Sequence, residues 1–225
     1  TYESTSPDAK PWYKNFVGIG GKSFEYFKGK PDGEYLCDLA YNYTKNVISG
    51  LNLVSVYSSN RDIGGLVPYD KDISEAITQG AGFVDFEGHG FPLGWNTIWF
   101  DGEYDNHDWV GGILLYDFLR ISNGDKQPVV IVGGCHNAMY NVSVIPGVLD
   151  KNGANYFVYG YPTPVCFSWG LVIKPRGGAI ASTGCTGYGM GYEGNPVTLS
   201  GELESNFFWQ IGLNGATNLA QAHSK

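Results

Sequence analysis

The chain has 225 residues, 43% hydrophobic and 15% aromatic, enough for one substantial core and unlike a disordered chain. A formal charge of −8 with no Lys/Arg-rich run excludes nucleic acid as a partner, and the apolar runs are too short to form a membrane span. The four cysteines, Cys37, Cys135, Cys166 and Cys185, are far apart and form no C-x-x-C pair, which argues against a structural zinc site.

In chain order, "KNFVGIGG" (14–21) reads as a buried strand ending in glycine. The stretch "FVGIGGKS" ends like a phosphate-binding loop, but the first glycine of G-x-x-x-x-G-K-S would fall at Phe16, so nucleotide binding is rejected. "EYLCDLAYNYTKNVISG" (34–50) reads as a helix with Leu36, Leu39, Ala40, Tyr43 and Val47 on one face and Gly50 as its C-terminal cap. "LNLVSVYSS" (51–59) is the next strand. "DISEAITQG" (72–80) is a helix, with Asp72 as cap, Glu75 three residues on and Gly80 as stop. "GFVDFEG" (82–88) and "PVVIVGG" (128–134) are further strands, with a helical "VGGILLYDFLRISNG" (110–124) between them. "CFSWGLVIKP" (166–175) suggests a short helix, "GGAIASTGC" (177–185) a fifth strand and "GELESNFFWQIG" (201–212) a last helix. Alternating strands and helices predict an α/β fold with a mostly parallel sheet. The Gly-, Trp-, Tyr- and Asp-rich loops 91–108 and 185–200 are long enough to carry function. Two sequons, Asn42-Tyr43-Thr44 and Asn141-Val142-Ser143, are of a kind common by chance.

Ligands of a parallel sheet bind beyond the carboxyl ends of its strands. Two such ends here read "FEGHG" and "VGGCHN", delivering His89 and Cys135 after glycines that let a substrate approach. Taken alone, Cys135 has three readings: a packed thiol, a metal ligand beside His136, or a nucleophile with His89 as its acid/base partner. The metal reading lacks further ligands, and His136, adjacent to Cys135, is read as structural.

The blocks "DISEAITQGAGFVDFEGHG", "PVVIVGGCHNA", "CFSWGLV" and "GGAIASTGCTGYG", in that order, resemble the gingipain-type (C25) cysteine peptidases of the caspase-like clan over roughly residues 12–212. The resemblance implies a caspase-like three-layer sandwich around a mostly parallel central sheet. It implies His89 as catalytic histidine, Cys135 as nucleophile, and the backbone N–H groups of Gly90 and Cys135 as oxyanion hole. An acid near the start of the helix after the first strand pairs with a basic P1 residue in gingipains. Counting back from Gly50 places Glu34 there with a one-residue shift, against the plain alternative of a first-turn acid favoured by the helix dipole. Trp95 and Tyr188 fall where the family has pocket aromatics, or are packed loop residues. The sequence departs from the family at Glu87 and His136, and in the acidic loop "DGEYDNHD", whose Asp101, Glu103, Asp105 and Asp108 are oxygen ligands of the kind calcium takes. The loop lacks an EF-hand pattern, so a solvated acidic loop is the first reading and a structural calcium site the second.

The leading expectation is a secreted or cell-surface cysteine endopeptidase acting on proteins or peptides after a basic residue, with no cofactor needed for catalysis. A catalytically silent caspase-like scaffold of a larger extracellular protein is the alternative, and a transpeptidase would use the same dyad. Residues 1–225 are read as a single caspase-like catalytic domain, incomplete at both ends, from a longer protein whose remaining parts are its partners. Thr1 lacks a preceding Met, and Lys225 suits cleavage after lysine.

Overall fold

The computed structural model describes residues 10–24, 29–99, 109–145, 149 and 162–224. The strands are β1 Asn15–Gly20, β2 Asn52–Tyr57, β3 Phe83–Glu87, β4 His89–Phe91, β5 Gly94–Ile98, β6 Trp109–Leu114, β7 Val129–Gly133 and β8 Ala181–Gly184. Five of them form one parallel sheet in the order β2-β1-β3-β7-β8, and β4-β5-β6 form a small antiparallel sheet. The helices are α1 Asp32–Thr44, α2 Asp70–Gln79, α3 Phe167–Val172, α4 Ser200–Gly212 and α5 Leu219–Ser224.

The central strands are largely apolar on both faces, as strands covered by helices on each side are, with Asp85 and Glu87 of β3 the buried polar departures. Successive side chains point to opposite faces. Val17, Ile19, Val84, Phe86, Val130 and Val132 therefore pack with Ile73 and Ile77 of α2 and with Phe167 and Leu171 of α3. Phe16, Phe83, Val129 and Ile131 face the other way, onto Ala40 of α1 and Phe207 and Phe208 of α4. Phe208 is fully buried, its ring 5.4 Å from Phe16 and 5.8 Å from Phe83. Helix layer, sheet and helix layer make the expected three-layer α/β sandwich.

Several elements differ from expectation. Helix α2 starts at Asp70, with Tyr69 rather than Asp72 at its N-cap, and β4 and β5 occupy a stretch read mostly as loop. The segment 110–124 is not helical throughout: it forms β6 and then a 3-10 turn, Leu115–Arg120. Tandem glycines at 111 and 112 weaken any helix there, and β6 pairs with β5 instead. Helix α1 starts at Asp32, two residues earlier than expected, entered from Pro31 with Asp32 and Glu34 in its first turn. It ends at Thr44, and Gly50, at φ 73°, serves the turn into β2 rather than a cap.

Candidate active site

β3 and β7 are in parallel register from Phe83↔Val129 to Glu87↔Gly133, and the Gly88 N–H donates to the Gly133 carbonyl at 3.2 Å. His89 and Cys135 each lie two residues beyond that last pair, so the strand ladder delivers both to one edge of the sheet. Both line one cleft of about 270 Å³. The His89 Nε2 is 2.8 Å from the Ser23 carbonyl oxygen. A carbonyl only accepts, so Nε2 carries the proton and Nδ1 keeps the lone pair a base needs. The ring also rests on Trp109, centroids 4.7 Å apart. The Cys135 thiol is half-buried and donates to the Gly189 carbonyl at 3.4 Å.

The cleft wall is acidic. Asp32 is 6% exposed, and its Oδ1 accepts the Ser23 N–H at 2.8 Å. The Ser23 residue thus bonds to Asp32 through its N–H and to His89 through its C=O. Glu87, buried at the end of β3, and Glu204, half-buried on α4, converge over Gly133. A Cβ at position 133 would meet their Oε2 atoms at 2.5 and 2.7 Å and the Phe86 carbonyl oxygen at 2.7 Å, and the backbone contact is the one that calls for glycine. The two carboxyl groups are hydrogen-bonded. Burial, then the charge of Glu204, holds Glu87 well above the usual carboxyl range, and burial raises Glu204 to about 7. Glu87 is accordingly the protonated member and donates to Glu204. One step down the same face of β3, Asp85 is fully buried, neither carboxyl oxygen has a partner among the described residues, and burial followed by the Glu204 charge raises it well above the usual carboxyl range.

The three residues expected to form the pocket take other places. Glu34 is 1% exposed and outside the cleft lining. Its Oε1 accepts Ser58 Oγ–H and Ser59 N–H, each at 2.9 Å, and its Oε2 accepts Ser59 Oγ–H at 2.7 Å. It bridges α1 to the turn after β2, and burial raises its pKa against those bonds. Trp95 is a core residue: fully buried, T-shaped on Phe86 at 5.4 Å, with Nε1 donating to the Gly133 carbonyl at 3.1 Å. Tyr188 is 74% exposed, leans on His136 at 4.6 Å and lines a neighbouring groove over β8, while Gly189, Met190 and Gly191 wall the cleft. His136 has a left-handed φ of 57°, and its N–H donates to the Gly187 carbonyl at 2.7 Å. Asp101, Glu103 and Asp105, with Asp108, lie outside the described residues.

Asp32, Glu204 and Ser23 were not singled out from sequence. Asp32 had a signal, an acid just after Pro31 at a helix entry. Glu204 had one too, since it stands four residues before Phe208 and so shares that residue's sheet-facing side of α4. Ser23 acts through its backbone and left no signal.

The model of peptidase family C25 matches residues 1–225. Among solved structures, the chain is similar to the crystal structure of the Arg-specific cysteine proteinase gingipain R (RgpB). The TM-score is 0.58 at 14% identity, covering 94% of this chain and 40% of that one. It is also similar to the complex of Porphyromonas gingivalis RgpB pro- and mature domains, with TM-score 0.50, 14% identity, and 88% and 37% of the two chains covered. The likeness is one of fold, and the chain spans about two fifths of the length of the first of these structures. No curated protein matches the chain significantly.

Proposed function

The chain belongs to peptidase family C25, and from that premise we propose that it is a cysteine endopeptidase cutting after a basic residue. The observation that carries this reading is the arrival of His89 and Cys135 beyond adjacent strand ends in one acid-walled cleft. In the proposed reaction the thiol proton passes from Cys135 to Nδ1 of His89, and the thiolate attacks the scissile carbonyl carbon. The N–H groups of Gly90 and Cys135 donate to the developing oxyanion. The imidazolium then protonates the departing amine as the C–N bond breaks. Water, activated by His89, hydrolyses the thioester and restores the thiol.

A P1 guanidinium or ammonium would meet Asp32 and the Glu87–Glu204 pair, where charge-assisted hydrogen bonds are strong. Asp32 takes the role first expected of Glu34, whose oxygens already serve Ser58 and Ser59. Arg specificity is stated for the gingipain R of similar fold, and the acidic wall supports the same preference here. The chemistry needs no cofactor, and for the acidic stretch 101–108 a structural calcium is the second reading after a solvated loop. Among the described residues no helix is long and apolar enough to cross a membrane. Protein or peptide substrates, a secreted or cell-surface location, and contact with further parts of a longer chain belong to the same reading.

Fluorogenic peptides with Arg, Lys, Asn or Asp at P1 test it, with Cys135→Ala as control. Turnover of the Arg and Lys peptides, lost in the control, is expected, as is labelling of Cys135 by a peptidyl electrophile. Turnover confined to Asn or Asp peptides would remove the basic preference. Neither turnover nor labelling would leave a silent scaffold.

A further inference from the structure

We propose that Asn137 is a positioning residue that sets the spacing of the two oxyanion donors by clamping the His89–Gly90 strand end to the Cys135 turn. The inference rests on the peptidase reading above. The two donors come from different strands, and the ladder joining those strands closes at the Gly88–Gly133 bond, before either donor is reached. Beyond that point the Asn137 side chain supplies two cross-links. Its Nδ2 donates to the Phe91 carbonyl at 3.2 Å and to the Gly94 carbonyl at 2.8 Å, both on the β4–β5 hairpin that begins with His89 and Gly90. Its backbone carbonyl accepts the Ser168 N–H of α3 at 3.0 Å, so the clamp is itself anchored.

The amide orientation follows from its partners, because two carbonyl oxygens require an NH₂ group between them. The other amide atom, Oδ1, is fully buried and has no partner among the described residues. It lies against Gly90 and Gly134, where an added Cβ would collide with it at either position. Gly90 is thus glycine because the clamp approaches so closely. An apolar side chain would fill this space without stranding a buried oxygen, and half-satisfied polar groups persist where geometry matters more than stability. Geometry matters here because an oxyanion hole works only when its donors reach about 2.7–3.1 Å from the oxyanion.

The test separates oxyanion binding from thiol reactivity. Asn137→Ala removes the clamp, and the near-isosteric Asn137→Asp replaces its two donors with acceptors. Turnover of an Arg-P1 peptide, inhibition by the matching peptidyl aldehyde, and alkylation of Cys135 by iodoacetamide are measured for parent and variants. The aldehyde adduct needs the oxyanion hole, whereas alkylation needs only the thiolate. In both variants kcat and aldehyde affinity should fall about a hundredfold, with KM and the alkylation rate held within about threefold. Unchanged kcat would overturn the assignment. So would a parallel loss of turnover and alkylation, or failure of both variants to fold, since the amide would then support the domain rather than the donor pair. A parent chain that neither turns over peptide nor binds aldehyde would refute the peptidase reading itself and the clamp with it.

Discussion

Asp32 and Glu34 stand two residues apart in one helical turn, and their surroundings give them opposite characters. Glu34 accepts three hydrogen bonds from Ser58 and Ser59, while Asp32 accepts one from Ser23 and lines the cleft. Asp32→Asn keeps an acceptor for the Ser23 N–H but removes the charge. It should lower kcat/KM for Arg and Lys peptides by about a hundredfold, the scale for truncating one partner of a buried charge pair. Glu34→Gln should leave P1 preference intact. It should instead cost about 1–3 kcal/mol of stability, because the new NH₂ faces donors, which thermal melting would register. Equal effects of the two substitutions on basic peptides would defeat the distinction. An acid at the helix entry was legible in the sequence, but which acid lines the cleft was not. That turned on where α1 begins, and the Pro31 entry shifted it by two residues from a count anchored on Gly50. Since Ser23 joins Asp32 to His89, Asp32→Asn should also reduce kcat, and saturating substrate should not rescue the rate.

At the level of elements, four of the five parallel strands were readable as short apolar runs ending near glycine or a turn, with the polar β8 read from the longer 177–185 stretch, and the register between β3 and β7 then fixes where the proposed catalytic residues emerge. The antiparallel β4-β5-β6 sheet was not readable. Its strands are short and rich in glycine and tryptophan, and the Val110, Ile113 and Leu114 spacing of β6 imitates a helix face. Trp95 shows what this sheet does. Its indole reaches from β5 beneath the cleft to the Gly133 carbonyl, which also accepts the Gly88 N–H, so one oxygen ties both sheets to the end of β7. Trp95→Phe loses that bond and some packing volume. It should destabilise the chain by about 2 kcal/mol, equivalent to roughly 4–8 °C in Tm at this size, with no change in the ranking of P1 residues. A variant with parental Tm but altered P1 ranking would return Trp95 to the pocket wall.

Across the whole molecule, the face of the sheet covered by α1 and α4 passes from the apolar Phe83 through Asp85 to Glu87 and Glu204 in the cleft that His89 and Cys135 line. In a chain of net charge −8, burying these carboxyl groups together makes stability depend on pH in a definite direction. Burial raises Glu204 to about 7 and holds Glu87 and Asp85 well above the usual carboxyl range. An unfolded chain would release the same protons near pH 4. Between those limits the native state binds more protons than the unfolded state, so this contribution is fully present at low pH and is lost as pH rises through about 7. Carboxylates stabilised by ion pairs would produce the opposite slope. The Tm should therefore fall by about 5 °C or more between pH 5 and pH 8. General repulsion among the surface acids would add a slope of the same sign, so the parent curve alone does not isolate the buried group. Glu204→Gln does, because it keeps a polar acceptor above Gly133 but has no proton to lose. Its Tm should vary distinctly less over the same interval and exceed that of the parent most at pH 8. A Glu204→Gln curve parallel to the parent's would assign the slope to the surface and show that Glu204 ionises in the folded chain as it does in water.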